Sequence, residues 1–310
     1  MRIGRFQKWL LMFSLICFNL VLFQYIESEV QKQNYFSFET GMKHFINFDV
    51  STSVMDDFYE AVDGDLPQFI SLLTIYMGTD CENPDIEDLM KQTEIILVEE
   101  ASEYESLYQY VASVFYDMDY FPVGHVSNHA DAHYSYVNSW QFERTYGGER
   151  VHEGCDIMAT LNKRGIYPIY SATDGIVENV GWLKLGGWRI GIRSASGAYY
   201  YYAHLSEYAK EFTVGEEITA GTLLGFMGDS GYSEVPGTYG KFDVHLHFGI
   251  YFDDAFGNEY AINPYPALYF CERRQLERQN AYKEMCVELS VLLYVRLFSF
   301  NENNIEGFRI

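Results

Sequence analysis

The chain has 310 residues, 48% hydrophobic and 17% aromatic, which suits one sizeable core with a smaller unit and rules out a disordered protein. A formal net charge of -23 argues against nucleic acid as a partner, since phosphates demand a basic surface, and against adhesion to anionic polymers or headgroups by simple attraction. Cys17, Cys81, Cys155, Cys271 and Cys286 form no Cys-x-x-Cys pair, so a structural zinc knuckle is not expected.

Residues 1–8 carry Arg2, Arg5 and Lys8 and no acid, and residues 9–26 are almost wholly apolar, interrupted by Ser14, Asn19 and Gln24. As a helix this run is about 27 Å long, enough for a bilayer core. The sequence predicts an uncleaved transmembrane signal anchor over 1–29, with its basic end cytoplasmic and all that follows extracytoplasmic. The rival is a cleaved signal peptide and a secreted protein, but no small-x-small site follows Ile26.

Residues 30–119 are acidic and predict a helical region, a spacer or partner surface with no chemistry of its own. Asn83-Pro84 reads as a helix start, a side-chain cap followed by a ring pre-set for the first turn. Ile86, Leu89, Met90, Thr93, Ile96 and Leu97 then recur at helical spacing, and Tyr104, Leu107, Tyr108, Val111 and Phe115 continue the stripe.

Near Phe121-Pro122 glycines multiply and short alternating runs begin, at 175–180, 188–192, 198–204, 222–227 and 244–251, with Asp174-Gly175 and Ser196-Gly197 as turns. This predicts an antiparallel β domain over 120–268. A charged stretch with Arg273, Arg274, Glu277 and Arg278 follows. Residues 287–300 are too short and too charged for a second span, so 269–310 is expected as a helical extension packed back on the helical region. The fold class is α+β. Cys271 and Cys286 could pair if this tail is exported.

Within the β domain, His245 and His247 lie between Val244 and Phe248 in a strand pattern, so both face one way, roughly 6 to 7 Å apart. That spacing suits one imidazole on a metal and its neighbour beside whatever the metal binds. Two surface histidines on a strand would look the same, so the remaining ligands must come from elsewhere. His152-Glu153-Gly154-Cys155-Asp156 offers two. Fully extended, His152 and Asp156 would stand about 13 Å apart, so a shared metal requires a bend, which Gly154 permits. In the run Tyr199-Tyr200-Tyr201-Tyr202-Ala203-His204-Leu205, alternation predicts that Tyr200, Tyr202 and His204 share a face. His125, His129 and His133 are four apart, but Pro122, Gly124 and Asn128 oppose a helix there.

Together, His-x-x-x-Asp at 152–156, Tyr-Ala-His-Leu at 202–205 and His-Leu-His-Phe at 245–248 resemble the lysostaphin-like, LytM-type zinc endopeptidases that cut peptidoglycan. The resemblance spans about residues 120–268. It implies a duplicated-hybrid-motif fold, an antiparallel sheet whose groove holds one Zn2+. It implies His152, Asp156 and His247 as metal ligands and His204 and His245 as the catalytic pair. Two imidazoles and a carboxylate leave a fourth zinc position for water, and a nearby histidine can take its proton. Two positions depart from the family pattern: Val244, where proline is common, and Cys155, read as a small buried filler.

The sequence thus points to a membrane-anchored extracytoplasmic zinc endopeptidase acting on peptidoglycan peptides, with no nucleic-acid partner and no protein partner identifiable. The alternative is a non-enzymatic scaffold or activator module on the outer membrane face. A zinc carboxypeptidase or deacetylase would also use His and Asp ligands. The loop over 229–243, with Tyr232, Pro236 and Tyr239, is the expected groove wall, and Glu153 a rim carboxylate.

Overall fold

The computed structural model describes residues 5–32, 36–79, 85–145, 148–254 and 256–302. The chain divides into two compact units, Met1–Phe45 with Ser53–Ala112, and Ile46–Thr52 with Ser113–Ile310.

The first unit is helical. Its helices are α1 (Arg5–Lys32), α2 (Phe38–Asn47), α3 (Thr52–Ala61), α4 (Leu66–Thr79), α5 (Ile86–Glu99) and α6 (Ala101–Asp117), the ends of α2 and α6 falling in the second unit. α4 is the most deeply buried of these helices, burying Phe69, Ile70, Leu72, Leu73, Ile75 and Met77, and Asp65 accepts the Gln68 N–H at 2.9 Å to cap its start. The start of α5 is capped by Asp85, which accepts from the Asp88 N–H at 3.2 Å; Asn83-Pro84 lies outside the described residues. Of the stripe on α5 only Leu89 and Ile96 are buried, while Met90 and Leu97 stay exposed.

α1 forms over the apolar run, with Phe13, Ile16, Phe18, Val21 and Phe23 exposed. Among the described residues, however, no helix is long and apolar enough to cross a membrane. The expected anchor is therefore not supported. Ser14, Asn19 and Gln24 interrupt the apolar run inside α1.

The second unit is built on a ten-stranded sheet. In chain order its strands are β1 (Tyr134–Tyr136), β4 (Cys155–Ala159), β5 (Pro168–Tyr170), β6 (Gly175–Leu183), β7 (Gly187–Arg193), β8 (Tyr199–Tyr208), β9 (Glu217–Ile218), β10 (Leu223–Met227), β11 (His245–Asp253) and β12 (Glu259–Ile262). β2 (Glu143–Arg144) and β3 (Arg150–Val151) pair separately. The main path runs β1-β4-β11-β8-β7-β6-β9, and every pairing is antiparallel. All five predicted alternating runs lie in these strands.

The inner face buries Tyr200, Tyr202, Leu246, Phe248, Ile250, Ile190 and Ile192. The hydroxyl of Tyr202 accepts the Ala172 N–H at 2.7 Å, so a buried phenol is partnered. Phe248 sits at the middle of β11 with its ring 5.4 Å from that of Tyr202. Phe248→Ala is expected to cost roughly 3–5 kcal/mol, read by denaturant unfolding of the intact chain.

The expected C-terminal extension is one long helix, α7 (Tyr265–Glu302). Glu272 accepts from the hydroxyls of Tyr134 and Tyr136, both at 2.6 Å, and Phe270 meets Phe115 edge-on at 5.2 Å. Arg278 pairs with Asp119 at 2.8 Å. Among the described residues, α7 meets the predicted helical region at Phe115 and Asp119 and the sheet at β1. Cys271 is a buried free thiol. It shares α7 with Cys286, about 22 Å further along the axis, so the two cannot bridge within one helix.

Candidate active site

Asp156 on β4 and His247 on β11 are direct cross-strand partners, so their side chains leave the sheet on the same face. His245, two residues earlier on β11, shares that face. His152 comes from the turn that leads into β4. Its Nδ1–H donates to the Ser139 carbonyl at 2.9 Å, which fixes the tautomer and leaves Nε2 with a lone pair.

That Nε2 lies 2.9 Å from His247 Nδ1 and 3.0 Å from Asp156 Oδ1, and His247 Nδ1 lies 3.1 Å from the same oxygen. The three atoms form a nearly equilateral triangle. Donors held tetrahedrally at 2.0–2.1 Å around one zinc would be separated by about 3.3 Å. Two imidazole nitrogens and a carboxylate oxygen, all aimed at one point, fit such an ion in both spacing and donor type. Among the described residues this is the grouping able to hold one.

Supporting contacts fix the donors. Asp156 Oδ2 accepts from Arg144 Nη2 at 2.5 Å. Burial works to raise the Asp156 pKa, but its close contacts with His152 and His247 and the nearby imidazoles outweigh it and hold the carboxyl well below the usual range. Burial lowers the His247 pKa against the opposing pull of Asp156, which favours the neutral form that a ligand needs.

Gly154 lies at the bend, as expected, yet its contribution is space rather than backbone freedom. A Cβ there would stand 2.5 Å from His247 Cε1 and 2.8 Å from the Phe248 carbonyl oxygen. Gly154→Ala must therefore shift a ligand ring or the sheet. We expect metal affinity to fall roughly 10- to 100-fold, the scale of losing a ligand-orienting contact, measured by competition with a chelator.

His204 departs from the predicted alternation. Tyr200 and Tyr202 do face the core together, but His204 has φ 64 and turns out of that series. The cause is a bulge: Leu205 pairs with Trp188 and Tyr202 with Ile190, so Ala203 and His204 together face the single residue Arg189. The His204 N–H donates to the Gly186 carbonyl at 2.8 Å and its Nδ1–H to the Ser230 carbonyl at 2.8 Å. Its ring then lies 4.7 Å from that of His245 and 6.1 Å from that of His247. A left-handed conformation at a non-glycine residue is costly and persists where the surroundings impose it.

His245 is fixed in the same way, its Nδ1–H donating to the Asp243 carbonyl at 2.7 Å with Nε2 3.8 Å from Asp156 Oδ1. Both histidines thus carry their proton on Nδ1 and turn the basic Nε2 away from the backbone. Burial, with the neighbouring imidazoles of His245 and His247, pushes the His204 pKa well below its ordinary value, so the ring is neutral.

These residues line a groove of about 670 Å³, whose walls include Arg144, Arg150, Arg189, Tyr201, Tyr232 and Tyr251. Of the expected wall, Tyr232 lines the groove, whereas Tyr239 donates to the Ser206 carbonyl and stacks under Arg164. Glu153 is at the rim as expected. Cys155 points to the other face of the sheet, fully buried, with its thiol pushed up to about 12 by burial, and is no ligand. His125, His129 and His133 lie in irregular chain and join no metal grouping. No motif spacing links Ser139 and Arg144 to the histidines, and within the expected loop 229–243 nothing singles out Ser230 or Phe242, whose ring lies 4.6 Å from that of His204.

A groove in an antiparallel sheet, with a His-Asp-His donor set and two further histidines, is the architecture of a metallopeptidase. Residues 150–264 match the profile of Peptidase family M23. The chain is 42% identical over 147 residues to the L-Ala–D-Glu endopeptidase of Bacillus subtilis strain 168, covering 47% of this chain and 43% of that protein. It is 28% identical over 169 residues to the glycyl-glycine endopeptidase ALE-1 of Staphylococcus capitis, covering 51% and 42%. A crystal structure of a candidate glycyl-glycine endopeptidase LytM from Ruminococcus gnavus ATCC 29149 superposes with a TM-score of 0.62 at 39% identity, covering 74% of this chain and 90% of that one. The chain belongs to peptidase family M23. It spans less than half the length of the curated relatives it matches.

Proposed function

We propose that the protein is a zinc-dependent endopeptidase that hydrolyses a peptide bond of peptidoglycan, acting outside the cytoplasmic membrane where that polymer lies. The observation that carries this reading is the convergence of His152 Nε2, Asp156 Oδ1 and His247 Nδ1 beside the two fixed imidazoles of His204 and His245. The B. subtilis relative, an L-Ala–D-Glu endopeptidase, favours a bond next to glutamate, and the S. capitis relative, a glycyl-glycine endopeptidase, a bond between glycines.

His152, Asp156 and His247 would hold the zinc. Zinc bound there acidifies a water and polarises a carbonyl. The rest falls to the chain. His204, neutral and with its Nε2 free, takes a proton at that nitrogen and can return it to the leaving amine. His245 Nε2, held by the Asp243 carbonyl, sits where it can hydrogen-bond the reacting carbonyl oxygen once protonated. Tyr201, its ring 5.9 Å from that of His247, walls one side of the peptide path, and Tyr232, 6.0 Å from His204, the other.

The test is digestion of isolated peptidoglycans of several cross-link types by the zinc-loaded chain, with fragments identified by mass spectrometry. Cleavage at one bond type supports the reading and names the bond. No release from any polymer, with one zinc bound per chain, would replace it by the scaffold reading.

A further inference from the structure

Arg189 is the groove arginine whose partner is missing. It lies on β7 as the single residue facing the Ala203–His204 bulge, and its side chain lines the groove. Its Nη1 is enclosed and has no hydrogen-bond partner. The other arginines around the groove are engaged. Arg144 is held on Asp156, and Arg150, though its Nε lacks a partner, reaches the Tyr232 hydroxyl at 3.4 Å. Beyond the groove, Arg164 is bound to Asp229 and Arg193 to Glu178.

A guanidinium nitrogen removed from water without an acceptor is costly, and in a chain of net charge -23 acceptors are abundant. Glu259 lines the same groove, yet among the described residues Arg189 makes no ion pair with it. Arg189 instead shares the groove lining with Tyr199 and Tyr201. A planar guanidinium fork in the groove that no described acidic residue holds matches a carboxylate in both charge and geometry.

We propose that Arg189 is a specificity-determining residue that binds the free carboxylate of a glutamate in the substrate peptide, close to the bond addressed by His204. This rests on the endopeptidase reading above and narrows it. Stem peptides carry such a carboxylate and glycine bridges carry none, so the groove selects the stem.

The test uses two synthetic stem peptides that differ only in that carboxylate, one free and one amidated. Turnover and calorimetric binding are measured with the full zinc-loaded chain and with Arg189→Gln and Arg189→Lys. The wild type should favour the free acid roughly 10- to 100-fold, the scale of a charge-assisted hydrogen bond. Arg189→Gln should bring that ratio close to one, with Arg189→Lys in between. The wild-type ratio needs no variant and so does not depend on the variants folding. A wild-type ratio near one, or a ratio that Arg189→Gln leaves intact, overturns the proposal. Binding that discriminates without any turnover would keep the subsite and sink the hydrolase, whereas turnover without discrimination would do the reverse.

Discussion

Replacing His247 by alanine should remove both the metal and the activity. The ring supplies one of three donor atoms within about 3 Å of one another, and two donors cannot hold zinc against buffer and chelators. Peptidoglycan cleavage should fall on the order of a thousandfold or more. The zinc content, measured on the purified chain, should drop well below one per molecule. The substitution lies on the groove face of β11 while Phe248 and Leu246 face the core, so the fold should persist. A variant that keeps stoichiometric zinc would remove His247 from the ligand set.

Replacing His204 should separate chemistry from metal binding. His204 makes none of the donor contacts, and its Nδ1–H is spent on the Ser230 carbonyl. The expected loss is roughly 10²- to 10⁴-fold in kcat with zinc content unchanged. Asparagine is the better replacement, because it tolerates the left-handed backbone that this position imposes. If His204→Asn lost zinc along with activity, the residue would be structural to the metal centre and the proton would have to move elsewhere. His245→Ala would then be the next variant to assay.

Much of the scaffold was legible without coordinates. Strand alternation alone put His245 and His247 on one face, and the β11 burial pattern agrees. The same period located the long strands, and the 3.6-residue period located α5 and α6. The apolar N-terminal run is legible as a helix, and α1 forms over it, but among the described residues no helix is long and apolar enough to cross a membrane. The need for a bend between His152 and Asp156 followed from extended-chain length, although the reason for a glycine did not. That reason is the His247 ring lying against it from 93 positions further along the chain.

What the sequence by itself determined was local: the donor types, the shared face of two histidines, and where strands and helices run. Each of these depends on near neighbours in the chain and on a fixed repeat. Which three side chains could share an ion was implied by resemblance rather than by spacing; cross-strand register joins Asp156 to His247, and the turn before β4 brings His152 to them, all within 3.1 Å. Only the tertiary structure turned His204 into the groove, because a bulge is set by the partner strand and not by the residues that bulge. Only it brought Ser139, Arg144 and Ser230 behind the histidines and placed Arg189 in the groove lining. Hydrogen bonds between residues far apart in sequence leave no period to read, so they become visible only when the sheet closes.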